Sequence, residues 1–321
     1  YFYNYDITCV YTFDITRFHE LNMPFEYQWW VFLAFFLGFA VKVPMFPFHT
    51  WLPDAHTDAP TAGSVILAAV LLKMGTYGFI RFSLPILPEA TLVFVPWVVG
   101  LSIVGIIYGA LVAMAQSDWK RLVAYSSVSH MGFVLLGIAT LNLTGMTGAV
   151  LQMFSHGVIG ALLFALVGTV IYSRTKTRML DELHRLIDRM PGIAWVFIVA
   201  GLASMGLPGF SGFISELYVL IGTWESKSLS GWIVGGAGLG ILLTFGYTLV
   251  KIHEAFFRAR KNDGGNGHDA EPDEIYSPMT LPEKIGVALL LGASLLIGLC
   301  PWLLTDKMTA SLKLLADRLG N

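Results

Sequence analysis

Lys42, Lys73 and Glu216 are charged side chains that fall well inside long apolar runs, and His130 and His156 fall inside two more. Ammonium, imidazole and carboxylate are the groups that hand protons from one to the next. If the runs cross a bilayer, each mid-membrane charge costs about 2.5–3.5 kcal/mol, so the three cost about 8–10 kcal/mol together, comparable with a domain's whole stability. Such a cost points to function. A lysine held away from water gives up its proton more easily, and a nearby anion restores the charged form. Moving that anion or its partner therefore switches the lysine between holding and releasing a proton, which makes a pump element from electrostatics alone.

Each residue also has a structural reading. Lys42 lies beside Pro44 and Pro47, where it can snorkel or cap freed carbonyls. Glu216 can pair with a neighbour for structure alone. His156, in Gln152-Met153-Phe154-Ser155-His156-Gly157, reads equally as a packed core histidine, whereas His130 follows Ser126, Ser127 and Ser129, whose hydroxyls favour a hydrated relay. Lys73, in Ala68-Ala69-Val70-Leu71-Leu72-Lys73-Met74-Gly75, lies too deep in its run to snorkel comfortably. His49, Asp54, His56 and Asp58 form a further polar cluster. Metal binding is conceivable there, but Trp51, Pro53 and Pro60 break the ligand spacing, and proton entry or loop structure fits better.

The elements that position these groups follow from composition. Of 321 residues, 55% are hydrophobic and only 13% charged, about half the charged share of a soluble domain, and the mean hydropathy is +0.66. This is the composition of a membrane protein. The formal net charge of −2 leaves no basic excess for nucleic acid. Cys9 and Cys300 are the only cysteines and supply neither a zinc site nor an iron–sulfur cluster. Any redox cofactor must belong to another chain. The sequence opens Tyr1-Phe2-Tyr3, with neither an initiator methionine nor a signal-peptide pattern, and is expected to be a fragment.

A helix crosses hydrocarbon in about 20 residues, and the apolar runs resolve into eight spans, Tyr27–Phe46, Thr61–Phe82, Thr91–Met114, Leu122–Leu141, Met146–Tyr172, Gly192–Gly222, Trp232–Phe256 and Ile285–Leu304. The first and sixth are expected to break, at Pro44 and at Pro208, because each proline removes a backbone donor and crowds the preceding turn. The two breaks recur after an odd number of spans, the pattern of inverted repeats whose broken helices frame an ion path. Residues 174–190 carry Met179, Leu180, Leu183, Leu186, Ile187 and Met190 at helical spacing, which predicts an interfacial amphipathic helix. The run Asn262-Asp263-Gly264-Gly265-Asn266-Gly267 reads as a mobile loop, and Met308, Leu312, Leu315 and Leu319 predict a short surface helix near the end. Lys251, His253 and Glu254 end a span, where snorkelling is the default. Lysine and arginine concentrate after the third, fifth and seventh spans, at Lys120, Arg121, Arg174, Lys176, Arg178, Arg185, Arg189, Arg258, Arg260 and Lys261. That face is therefore expected to be cytoplasmic, with residues 1–26 on the other side and 257–281 a cytoplasmic loop.

Phe39-Ala40-Val41-Lys42-Val43-Pro44-Met45-Phe46-Pro47-Phe48-His49-Thr50-Trp51-Leu52-Pro53-Asp54-Ala55-His56-Thr57-Asp58-Ala59-Pro60 and Leu71-Leu72-Lys73-Met74-Gly75-Thr76-Tyr77-Gly78 carry a resemblance. With Ser127-Val128-Ser129-His130-Met131-Gly132-Phe133 and Met205-Gly206-Leu207-Pro208-Gly209-Phe210-Ser211-Gly212-Phe213, they make the chain similar to the antiporter-like subunit M family of respiratory complex I, NADH:quinone oxidoreductase, the counterparts of mitochondrial subunit 4. The resemblance covers nearly the whole chain. It implies an all-helical subunit of fourteen spans with two inverted five-helix repeats, of which this chain holds the last eight, with residues 27–82 closing the first repeat, 91–256 forming the second, and 282–321 the last span and tail. It implies that Lys42 and Lys73 are paired lysines of the first half-channel, that His130 belongs to a central hydrated axis, and that Glu216 is the acid of the second broken helix. Protons would move here while partner subunits bind NADH, FMN, iron–sulfur clusters and quinone. Neighbouring antiporter-like subunits and the lipid bilayer are the implied partners, in a bacterial plasma membrane or, alternatively, a mitochondrial inner or thylakoid membrane. The acidic partner of the first lysine lies on a helix outside this sequence. A multisubunit cation/proton antiporter of shared ancestry is the alternative reading.

Overall fold

Lipid offers no partner for a backbone N–H or C=O, so a chain this apolar satisfies its backbone within helices. The computed structural model describes residues 2–226, 229–258 and 275–319. Among them the regular structure is helical, apart from one isolated bridge between Asp118 and Met179. Short helices α1 (Phe2–Thr8) and α2 (Ile15–His19) lead into α3 (Phe25–Lys42) and α4 (Trp51–Asp58). Then come α5 (Thr61–Ile86), α6 (Pro88–Met114), α7 (Trp119–Ala139) and α8 (Leu143–Thr175). The chain continues through α9 (Pro191–Ser204), α10 (Ser211–Glu225), α11 (Gly231–Phe257), α12 (Leu281–Leu299) and α13 (Trp302–Arg318). Six of these, α5, α6, α7, α8, α11 and α12, are long and apolar enough to cross a membrane.

Both expected interruptions are present. Helix α3 ends at Lys42, and turns lead past Pro44 to α4. Helices α9 and α10 are separated by Met205–Phe210, where Gly206 and Gly209 take φ of 79° and 102°. Side chains are strained in that left-handed region. A Cβ at Gly206 would also sit 2.8 Å from Glu216 Oε2, the movable end of that side chain, and so would push the carboxylate aside.

Helix α7 is the hub, with 94% of its most apolar window buried, against 17% for the peripheral α12. One hydrophobic cluster joins Trp119, Phe164, Phe197 and Phe256 at one end of the bundle, and a second joins Leu72, Phe133, Leu135 and Val219 at the other. Asp118 starts α7 by accepting from the Lys120 and Arg121 amides at 2.7 and 3.2 Å, and its other oxygen meets Arg178 Nε at 2.5 Å. Asp118→Ala is therefore expected to destabilise the protein by about 2–3 kcal/mol, combining a lost cap with an unpaired, half-buried arginine. A lowered thermal midpoint in detergent checks this.

The predicted interfacial helix over 174–190 is not formed. Its ends are helical, but the middle turns inward: the Leu180 amide donates to Ser117 O, the Trp119 amide to Arg178 O and the Arg185 amide to Arg258 O. Leu180, Leu183, Leu186 and Met190 are buried in the protein core. Helical spacing of apolar residues is also satisfied by an irregular strap whose leucines plug the bundle end. Arg174 anchors that end, donating to Val170 O and to both Glu283 oxygens, and so ties α8 to α12. The terminal helix α13 forms as expected, yet it docks on the core through Leu312, Leu315 and Leu319. The run Asn262–Gly267, with Arg260 and Lys261, lies outside the described residues.

Candidate functional site

Lys73 stands on α5 just after a wide turn over Leu67–Leu71, in which backbone bonds reach one residue further than in an α-helix. Such turns leave carbonyls free to take side-chain donors. The Lys73 ammonium donates to Ala68 O at 2.5 Å, and its other contact, 2.6 Å away, is His156 Nδ1 on α8. The two helices come this close because Gly157 and Ala69 face each other: a Cβ on Gly157 would lie 3.0 Å from Ala69 O. Lys73 and His156 are 8% and 6% exposed.

From His156 the polar groups continue across the bundle. Its ring centroid is 5.6 Å from that of His130 on α7. His130 Nδ1 lies 3.5 Å from Glu216 Oε1 on α10, and Gln152 Nε2 is 3.4 Å from the former and 3.5 Å from the latter. Gln152 Oε1 in turn accepts from Ser215, while Ser211 links Ser155 to Ser294 of α12 at 2.9 and 3.0 Å. Four helices thus bring an amine, two imidazoles and a carboxylate into one buried row. Groups spaced like this transfer protons directly or through single waters.

The sequence-identified residues divide into those in the row and those outside it. Lys73, His130 and Glu216 are in it, and so is His156, whose core reading and relay reading stood level. Lys42 is not: it is half-buried at the end of α3, its stem 3.1 Å from where a Cβ on Gly75 would lie, with no hydrogen bond or ion pair among the described residues. His49 packs against Phe46 and Tyr108, at centroid distances of 5.7 and 5.1 Å. His56 stacks on Phe164 at 4.2 Å, and Asp54 turns outward to Arg121 at 2.6 Å. These three do not converge, and among the described residues no group of three or more His, Cys, Asp or Glu could hold a metal ion. Pro44 and Pro208 mark the two helix breaks, and the second break places Glu216. Ser155 stands beside His156 in the sequence, whereas Gln152, Ser211 and Ser215 carry no conspicuous chemistry there. Their one signal is spacing: Gln152 lies four residues before His156 and Ser211 four before Ser215, each pair on one helical face.

The chain is similar in sequence and in fold to known proteins. The family model described as NADH:quinone oxidoreductase/Mrp antiporter, transmembrane, matches residues 1–242. The chain is 44% identical over 310 residues to NADH-quinone oxidoreductase subunit M of Rhodobacter capsulatus, covering 94% of this chain and 57% of that protein. It is 41% identical over 319 residues to subunit M of Pseudomonas aeruginosa, covering 99% and 60%. It is also 49% identical over 222 residues to NADH-ubiquinone oxidoreductase chain 4 of Arabidopsis thaliana, covering 69% and 44%. The chain thus spans about half the length of the curated relatives it matches. Among solved structures, a chain of respiratory complex I from Thermus thermophilus superposes with a TM-score of 0.88 at 30% identity, covering 99% of this chain and 65% of that one. A chain of the Mrp complex from Dietzia sp. shares the fold, with a TM-score of 0.80 at 22% identity over 98% of this chain and 63% of that one. With the family model matching about three quarters of its length, this chain belongs to the NADH:quinone oxidoreductase/Mrp antiporter transmembrane family.

Proposed function

We propose that this chain forms the proton-conducting core of a membrane-arm subunit of NADH:quinone oxidoreductase. Protons pass along Lys73, His156, His130 and Glu216, driven by redox chemistry in other subunits. The observation that carries this reading is the 2.6 Å contact between Lys73 and His156, which couples the buried Lys73 ammonium to the imidazole–carboxylate end of the row. In this reading Lys42 feeds Lys73 from the first broken helix, with His49, Asp54 and His56 supporting that half. The eight apolar runs are the last eight of fourteen spans, with the face bearing Lys120 and Arg178 cytoplasmic in a bacterial plasma membrane. Flavin, iron–sulfur clusters, NADH and quinone are bound by partner subunits, and neighbouring antiporter-like subunits flank this one.

His156→Leu in the full-length subunit, assembled in the intact complex and reconstituted into vesicles, tests the proposal. NADH-driven proton uptake attributable to this subunit is expected to fall at least about tenfold, since an aliphatic side chain can neither accept nor return a proton. Uptake at the parental rate in a fully assembled complex would overturn the relay. A parent preparation without flavin and iron–sulfur absorbance that exchanges sodium for protons would reassign the chain to a cation/proton antiporter.

A further inference from the structure

We propose a second proton branch that joins the His130–Glu216 end of the row from the Lys251–Glu254 end of α11, by way of the Tyr247 hydroxyl. It rests on the relay reading above and adds an entrance which that reading does not use. Two small cavities meet in the bundle. The first, about 10 Å³, is bordered by His130, Gln152, His156 and Glu216; the second, about 30 Å³, by Trp119, Tyr247, Thr248 and Lys251. They share a wall made of Val123, Ser126, Leu163 and Ser204, so two hydroxyls stand at the junction. Cavities of this size hold about one water each where polar partners line them.

Polar atoms without protein partners point to such waters. His130 Nε2 and Trp119 Nε1 are buried and have no hydrogen-bond partner among the described residues, and each residue borders one of the two cavities. Leaving a buried donor or acceptor unmet costs about 1–3 kcal/mol, which a bridging water relieves. Tyr247 is 2% exposed. A phenol placed there is a costly way to fill space that phenylalanine would fill without a polar atom.

The outer end of the branch is an ion pair. Lys251 Nζ meets Glu254 Oε2 at 2.9 Å, with side chains 12% and 29% exposed. Phe256, two residues on, packs against Trp119 with centroids 6.3 Å apart, and the Arg185 amide donates to Arg258 O. The mouth therefore opens on the face that carries Lys120, Arg178 and Arg185. A proton taken from bulk water at Glu254 passes to a cavity water, and the Tyr247 hydroxyl accepts it while releasing its own proton inward. A second water then delivers a proton to Nε2 of His130 carrying its ring proton on Nδ1. The resulting imidazolium faces the Glu216 carboxylate at 3.5 Å, and passing the Nδ1 proton to Glu216 returns the ring to neutrality.

Tyr247→Phe removes only the hydroxyl and tests the branch. It is made in the full-length subunit within the reconstituted complex, beside the His156→Leu variant. The Lys73–His156 pair still switches the row at every turnover, so the branch loads protons onto it without replacing that pair. Expected for Tyr247→Phe is a roughly three- to tenfold slower proton uptake, a barrier raised by the corresponding factor, with a larger solvent deuterium isotope effect and normal complex yield. Should Tyr247→Phe lower the yield, Lys251→Met with Glu254→Gln at the mouth carries the same expectation. Parental uptake and isotope effect in the Tyr247 variant, or in the mouth variant when it is the one used, overturn the branch. If His156→Leu still blocks uptake in that case, the main relay stands; if it does not, both fall.

Discussion

Lys73→Met in the assembled complex is expected to abolish proton uptake through this subunit while leaving its thermal stability equal to or above that of the parent. Lys73 is 8% exposed, and its amine contacts only Ala68 O and His156 Nδ1, with no carboxylate paired to it among the described residues. A buried cation without a counter-charge is a standing cost, whereas methionine fills a similar volume flexibly and carries none. The His156 nitrogen loses one donor, worth about 1 kcal/mol, against about 2.5–3.5 kcal/mol recovered by removing the charge from mid-membrane. Stability is thus expected to rise by about 1.5–2.5 kcal/mol or stay level, with function lost. Thermal unfolding of the purified complex and dye-monitored proton uptake read the two effects separately. A variant that pumps normally removes Lys73 from the path, and one that unfolds early makes it structural.

Gly222→Ala is expected to damage both the fold and the relay. Helices α8 and α10 touch backbone to backbone: a Cβ on Gly222 would lie 2.3 Å from both N and Cα of Gly145, and one on Gly148 would lie 2.6 Å from the Val219 amide nitrogen. Asn142 Nδ2 also donates to Gly222 O at 2.6 Å. No rotamer change relieves a clash with main chain, so α10 must move outward at a cost of about 2–3 kcal/mol. Glu216 rides on that helix less than two turns away, and its 3.5 Å approach to His130 opens with it. Slower proton uptake should therefore accompany a lowered thermal midpoint. Gly238→Ala in α11 is the control, since a Cβ there meets nothing within 4 Å and alanine favours a helix by about 1 kcal/mol. Equal behaviour of the two variants would refute the contact argument.

The helical class, the positions of most long helices and both interruptions were legible in the residues, because hydrophobic run length and proline act locally. Lys73 and Glu216 stood out for the same reason, as a charge in an apolar run is conspicuous whatever its neighbours are. The strap over 174–190 was misread, since apolar residues spaced for a helix serve equally well as plugs when main-chain partners lie across the bundle. Gln152 and Ser215 escaped notice, because an uncharged polar residue inside an apolar run is ordinary until a partner helix faces it.

Local physics, then, settles that this chain is a set of helices with costly charges at depth. Which of those charges meet is a matter of packing. Lys73 and His156 are 83 residues apart in the chain and 2.6 Å apart in space. They meet because small residues let α5 and α8 close on one another, while a wide turn offers the lysine a carbonyl. Lys42, equally conspicuous in the sequence, is left outside the row because the break that exposes it also ends its helix there. Proton transfer depends on contacts of this kind, and spacing along one chain does not encode them.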